Sequence, residues 1–216
     1  MLLRGIAEEL NSLTVGSIVE IKVVGRTIEM HGKELNALDR AVIGFVKLLS
    51  CDYVIVSGYI ALLFGRPRTT ESIDILANIK DNKEFNHIWK VAYANGYYCI
   101  NGNHPKDAYE IILEGSSVRF AKKGTIFPNF ELKLPRNKIG YTALDDRLEL
   151  GFGKNNISIS PIELQIAYKL YLGSDKDYED ARYLYKLLYR YINSKKLKAF
   201  IKSLRVEKEA KIILGV

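Results

Sequence analysis

Apolar positions recur along this chain with two different spacings, and the alternation between them predicts the order of its elements. Residues 2–13 pattern as a short amphipathic helix, and 18–31 as a hairpin, or two extended pieces, around Gly25. From Asn36 to Leu49, the residues Leu38, Val42, Ile43, Val46 and Leu49 share one helical face. A strand over Tyr53–Val56 runs into Ser57-Gly58 and a short apolar helix. A Gly-Arg-Pro-Arg break follows, then a second strand carrying Asp74. Asn82–Asn95 reads as a helix on Phe85, Ile88, Trp89 and Ala92, stopped by Asn95-Gly96. Strands are expected near Tyr97–Ile100, Tyr109–Leu113, Ser117–Ala121 and Phe130–Leu134, with a turn at Glu114-Gly115. From about residue 160 the pattern is helical, and Ser160-Pro161-Ile162-Glu163 spells a capping box with proline in the first turn. The fold class expected is α/β (α+β): a mixed β-sheet flanked by helices, with a C-terminal helical region.

Composition narrows the classes. The chain has 216 residues, 48% apolar and 26% charged, which describes an ordinary globular protein with ample core. Cys51 and Cys99 sit in apolar surroundings without a Cys-x-x-Cys pair, and His31, His87 and His104 are scattered. Neither set has zinc-ligand spacing, so the cysteines read as reduced core residues. Residues 1–13 lack the apolar region of a signal peptide, and Tyr53–Phe64 is too short to span a bilayer. A cytoplasmic location fits.

The net charge of +7 is uneven: ten Lys/Arg stand against Glu207 and Glu209 between Arg182 and Lys211. Such a run is either a solvated helical face or a footprint for RNA. Tyr183, Tyr185, Tyr189 and Tyr191 interleave with it, as base-stacking groups or as core.

The chemistry concentrates in Val54–Leu76. A strand, a small-residue turn and a helix can present backbone N–H groups to a phosphate, and the next strand can bring carboxylates to an accompanying metal. This stretch resembles the nucleotidyltransferase superfamily, in particular the small abortive-infection type. Its hallmark is a Gly-Gly or Gly-Ser turn, then about a dozen residues later Arg-x-Thr-x-Asp-x-Asp at a strand. Here the turn is Ser57-Gly58, the Arg and Thr are Arg68 and Thr70, and the second Asp is Asp74. Ser72 occupies the first Asp position, a poor magnesium ligand beside a carboxylate.

The resemblance implies a third carboxylate on a later strand, for which Glu131 in Phe130-Glu131-Leu132 fits as metal ligand or base. The alternative is a surface carboxylate paired with a lysine. Lys169 and Lys176-Asp177-x-x-Asp180 resemble the family's C-terminal signature facing the nucleotide, with Lys169 balancing phosphate charge. Ser174-x-x-Asp177 also fits a plain helix cap, and Asp180 an ion pair one turn along its helix.

The chain is expected to divide into a 1–35 helix and hairpin extension, a 36–158 nucleotidyltransferase-like core and a 159–216 helical region, and the resemblance covers about residues 36–190. It implies transfer of a nucleoside monophosphate from a Mg²⁺–nucleoside triphosphate complex to a hydroxyl on RNA or protein. Asp74, Glu131 and Lys169 would be catalytic. Ser57, Gly58, Arg68, Thr70, Lys176 and Asp177 would bind nucleotide, and Asp74, Glu131 and Ser72 the metal. The alternative is a degenerate nucleotide- or RNA-binding module, or one partner of a toxin–antitoxin pair.

Overall fold

The structure, a computed structural model, describes residues 19–216. The helix expected over 2–13 lies outside them. A hairpin of β1 (Glu20–Val24) and β2 (Thr27–His31) turns at Gly25, whose φ of 61° suits glycine. There follow α1 (Ala37–Val46), β3 (Tyr53–Val56), α2 (Gly58–Leu63), β4 (Ser72–Ala77), α3 (Asn82–Ala94) and β5 (Tyr97–Cys99). The middle of the chain forms α4 (Pro105–Leu113), β6 (Val118–Lys122), β7 (Asn129–Lys133), α5 (Lys138–Asp145), β8 (Leu148–Phe152) and β9 (Asn155–Ile159). It closes with α6 (Ile162–Leu172), α7 (Asp175–Leu188), α8 (Ser194–Leu204) and α9 (Glu207–Leu214).

All nine described strands join one mixed sheet in the order β1-β2-β8-β9-β3-β4-β7-β6-β5. Its two faces differ. Ile55, Ile73, Ile75, Phe120, Phe130 and Leu132 enter the main core with Phe45 of α1 and Phe85, Ile88 and Trp89 of α3. On the other face Val54, Val56 and Leu76 meet Ile139, Ala143 and Leu144 of α5, Leu164 of α6 and Phe200 of α8. That second cover is narrow, so Ser72 and Asp74 of β4 and Glu131 and Lys133 of β7 stay partly exposed.

Two local expectations are corrected. Tyr109–Leu113 is helical, not extended. Pro105 opens α4 in its first turn, and Ala108 and Ile112, four apart, bury one face. The capping box at Ser160 does not form: no side chain caps α6, and Glu163 accepts from the Asn193 backbone N–H at 2.7 Å. Tertiary pairing with the start of α8 outcompetes the local cap. The boxed start is found instead at Asn36, whose side chain accepts from Asp39 N–H while Asp39 accepts from Asn36 N–H.

Both cysteines are free. Burial, reinforced by Glu84 and Asp52, pushes the Cys51 thiol up to about 12, so it stays protonated near neutral pH. Among the described residues no helix is long and apolar enough to cross a membrane.

Candidate nucleotide site

The register of three central strands builds the site. In β3 and β4 Val56 lies opposite Asp74, and in the parallel pair β4 and β7 Asp74 lies beside Glu131. Glu131 in turn faces Arg119 on β6. Because side chains alternate, Ser72 and Asp74 share a face with Asn129, Glu131 and Lys133. The burial of β7 follows, with Phe130 and Leu132 inside and Glu131 and Lys133 on the half-open face. The two acidic residues, 57 positions apart in sequence, are thus lateral neighbours.

Lys133 joins them. Its Nζ lies 2.6 Å from Asp74 Oδ1 and 3.3 Å from Glu131 Oε2. Glu131 also receives Ser117 Oγ at 3.1 Å and stands 3.3 Å from Arg119 Nε. Burial alone would lower the Lys133 pKa, but the two carboxylates reverse the sign and hold it above the ordinary lysine value. The ammonium is therefore charged throughout the physiological range.

Beside this row sits the Ser57–Gly58 turn. Ser57 has φ 69° and ψ −141°, a conformation costly for any residue with a Cβ. Gln165, buried on α6, holds it from both sides: its Oε1 accepts from Ser57 N–H at 3.1 Å and its Nε2 donates to Ser57 C=O at 2.8 Å. The Ser57 amide is thus already engaged, and α2 is only six residues long. Gly58 is glycine for a specific reason: a Cβ there would lie 2.8 Å from Arg68 Nη2.

Arg68 leads on to the C-terminal helices. It and Arg66 each pair with Asp180, which is wholly buried, and Arg66 also reaches Glu179. Lys169 Nζ lies 3.1 Å from Asp180 and 2.5 Å from Asp177. Asp177 is also the cap partner of Ser174, whose Oγ accepts from its N–H. Burial works against ionising Asp177, but hydrogen bonds from Lys169 and Ser174 and the lysine charge hold its pKa below the usual carboxylate value. Asp180 does not pair along its own helix as expected. It collects three cations from other elements, locking the β3–β4 connection onto α6 and α7.

These residues fall into two groups: Asp74 and Glu131 meet at Lys133, while Arg68, Lys169 and Asp177 gather around Asp180 beside Gly58, and the pairing of Val56 with Asp74 sets the Ser57–Gly58 turn next to the first group. Thr70 ties the entry to β4, donating to Ser72 C=O at 3.0 Å. Lys176 is exposed on the first turn of α7 and, among the described residues, forms no ion pair with a carboxylate. Sequence reasoning missed Gln165, Arg66, Lys133 as a bridge, and Asn129. Asn129 is buried beside Ser72, and among the described residues its Oδ1 has no hydrogen-bond partner. The first arginine of Gly-Arg-Pro-Arg and the lone glutamine of the chain were the available signals.

No protein-family model and no curated protein matches this chain. Among solved structures it is similar to an antigenic nucleotidyltransferase-like protein from Paracoccidioides brasiliensis. The identity is 15%, with 81% of this chain and 89% of that one covered and a TM-score of 0.47. It is similar to the lincosamide antibiotic adenylyltransferase LnuA at 12% identity, covering 72% and 99%, with a TM-score of 0.47. The antibiotic-resistance factor ANT(2'')-Ia gives 10%, 80% and 95%, and 0.49. At these values the functional reading rests on the chain's own residues.

The metal site that the sequence resemblance implies, which in phosphoryl transfer commonly holds two ions, does not fit the residues present. Such a centre needs carboxylates enough to hold two ions about 3.5–4 Å apart. Here the first acidic position is Ser72, and an ammonium stands between the two carboxylates that remain. Among the described residues no group of three or more His, Cys, Asp or Glu could hold a metal.

A separate cavity of about 250 Å³ lies toward the β1 side of the sheet, lined in part by Arg26, Asp146, Glu163 and Lys196. None of the candidate catalytic, nucleotide-binding or metal-binding residues lines it.

Proposed function

We propose that this chain binds a nucleoside triphosphate on the half-open sheet face. The ligand lies over Ser72, Asp74 and Glu131, between the Ser57–Gly58 turn and the corner formed by Lys169, Lys176 and Asp177. The observation that carries the reading is Asp74 beside Glu131 in strand register, one residue pair from the turn over which Arg68 lies. Lys133 on that pair, with Arg68 and the buried Lys169 on the other side of the turn, supplies the kind of positive charge with which a polyphosphate pairs. Arg68 and Lys169 are already shared with Asp180, so they position the turn and contribute partial charge. Lys176, exposed and without an ion pair among the described residues, offers a further cation.

Two activities could follow from such binding. The chain is a binding module if Ser72 and Lys133 have replaced the metal chemistry. Nucleotidyl transfer to an acceptor hydroxyl, releasing pyrophosphate, is the second reading. Glu131 favours it, since a carboxylate at that place can accept the acceptor's proton. The acceptor we propose is RNA, met by the exposed Lys195, Lys198 and Lys202 of α8.

Calorimetry with ATP, with and without magnesium, tests the binding. Incubation with α-phosphate-labelled ATP and RNA separates the two activities. Label appearing on RNA, and lost in Glu131→Gln, supports transfer. Binding without any incorporation supports the module.

A further inference from the structure

Asp74 and Glu131 both direct an oxygen at one point, and that point is occupied by a group of the chain itself. Lys133 follows Glu131 by two positions on β7, so the pleat places its side chain on the same face. Its Nζ meets Asp74 Oδ1 and Glu131 Oε2. The second oxygen of Glu131 faces Arg119, and Ser117 donates to the first. Two carboxylates, one ammonium and one guanidinium sum to zero charge before any ligand arrives. At Ser72 the face supplies a hydroxyl and no further negative charge. A magnesium ion, which demands oxygen ligands at about 2.0–2.1 Å in an octahedron, would have to expel the ammonium and then sit beside it.

We infer that Lys133 is the resident cation of this site: it excludes a divalent metal from between Asp74 and Glu131, and leaves the nucleotide to bind without one. The second half of this statement rests on the nucleotide reading above; the first half does not. The ammonium offsets the two carboxylates beneath the polyphosphate, as a metal otherwise would, and it is tethered and independent of solution metal. Ser72 fits this arrangement, because a third carboxylate would leave the site with an unbalanced negative charge.

The test is a titration of the full chain with Mn²⁺ alone, following free Mn²⁺ by electron paramagnetic resonance. Wild type and Lys133→Arg, which keep the cation, should bind no stoichiometric Mn²⁺ near millimolar concentration. Lys133→Gln should bind one ion at least about tenfold more tightly, since an ammonium no longer repels it. Adding Asp74→Asn to that variant should abolish the gain. Stoichiometric Mn²⁺ binding by the wild type, as tight as in Lys133→Gln, overturns the inference without recourse to any variant's folding. So does a Lys133→Gln protein of unchanged circular dichroism that gains nothing. ATP affinity, measured separately, should be equal in EDTA and in magnesium. Failure to bind ATP in both buffers refutes the nucleotide reading and leaves the Mn²⁺ result to decide the role of Lys133.

Discussion

Gly58 lies directly beneath the guanidinium of Arg68, which buried Asp180 holds in place. A side chain at 58 would come within 2.8 Å of Nη2 and 3.1 Å of Cζ. Arginine termini usually yield, but this one is fixed by its ion pair. Gly58→Ala should therefore cost about 1–3 kcal/mol, the range of overpacking a filled site. In an Arg68→Ala background the same change should cost under about 1 kcal/mol, because the obstacle is gone. Urea denaturation of the four proteins of this cycle checks it; equal costs in both backgrounds would refute the contact.

Asp180 is the hub of the cation cluster. Asp180→Asn keeps its shape but leaves Arg66, Arg68 and Lys169 without their shared charge. Breaking a buried ion pair from one side typically costs about 3–5 kcal/mol. Thermal and urea unfolding should show a loss in that range. A change below about 1 kcal/mol would mean that the cluster is solvated and not a lock.

How much of this was legible beforehand follows from how local each signal is. The strand–turn–helix–strand of Val54–Leu76 could be read because its apolar alternation, small-residue turn and Gly-Arg-Pro-Arg break lie within one window. The face assignment of Glu131 was legible from alternation alone. Lys133 reaching Asp74 was not, since it depends on the parallel register of β4 and β7, which no local pattern fixes. Gln165 clamping Ser57, 108 residues away, was hidden for the same reason. Tyr109–Leu113 misled because its dense apolar residues suit either period, and Pro105 was the overlooked arbiter. Ser160 misled because a correct capping motif lost its partner to Asn193.

Ser57 carries backbone strain that glycine would not. A residue held in that glycine-only region costs about 1–3 kcal/mol. Ser57→Gly relieves it but frees the unfolded chain, a loss of about 0.4–1 kcal/mol. The net expectation is a stability gain of about 1 kcal/mol, read as a raised melting temperature. Reduced ATP affinity in the stabilised variant would assign the hydroxyl to the ligand. A destabilised Ser57→Gly would refute the strain.

Asp177 sets a sign for acid stability. Its folded pKa lies below the usual carboxylate value, because its hydrogen bonds and Lys169 outweigh burial. A depressed carboxylate adds stability that is present above its unfolded value and lost as pH falls through the folded one. Wild type should lose stability below about pH 4, starting near the ordinary carboxylate range. Asp177→Asn should flatten that part of the profile while lowering stability near neutrality. An unchanged acid slope would show that Lys169 does not hold the charge on Asp177.

The most direct measurement is calorimetric titration of the intact chain with ATP, in EDTA and again in excess magnesium. The account predicts one saturable site with the same affinity in both, and tighter binding by Asp74→Asn, which removes a negative charge facing the phosphates. Absence of heat and of saturation in both buffers at millimolar ATP would contradict it.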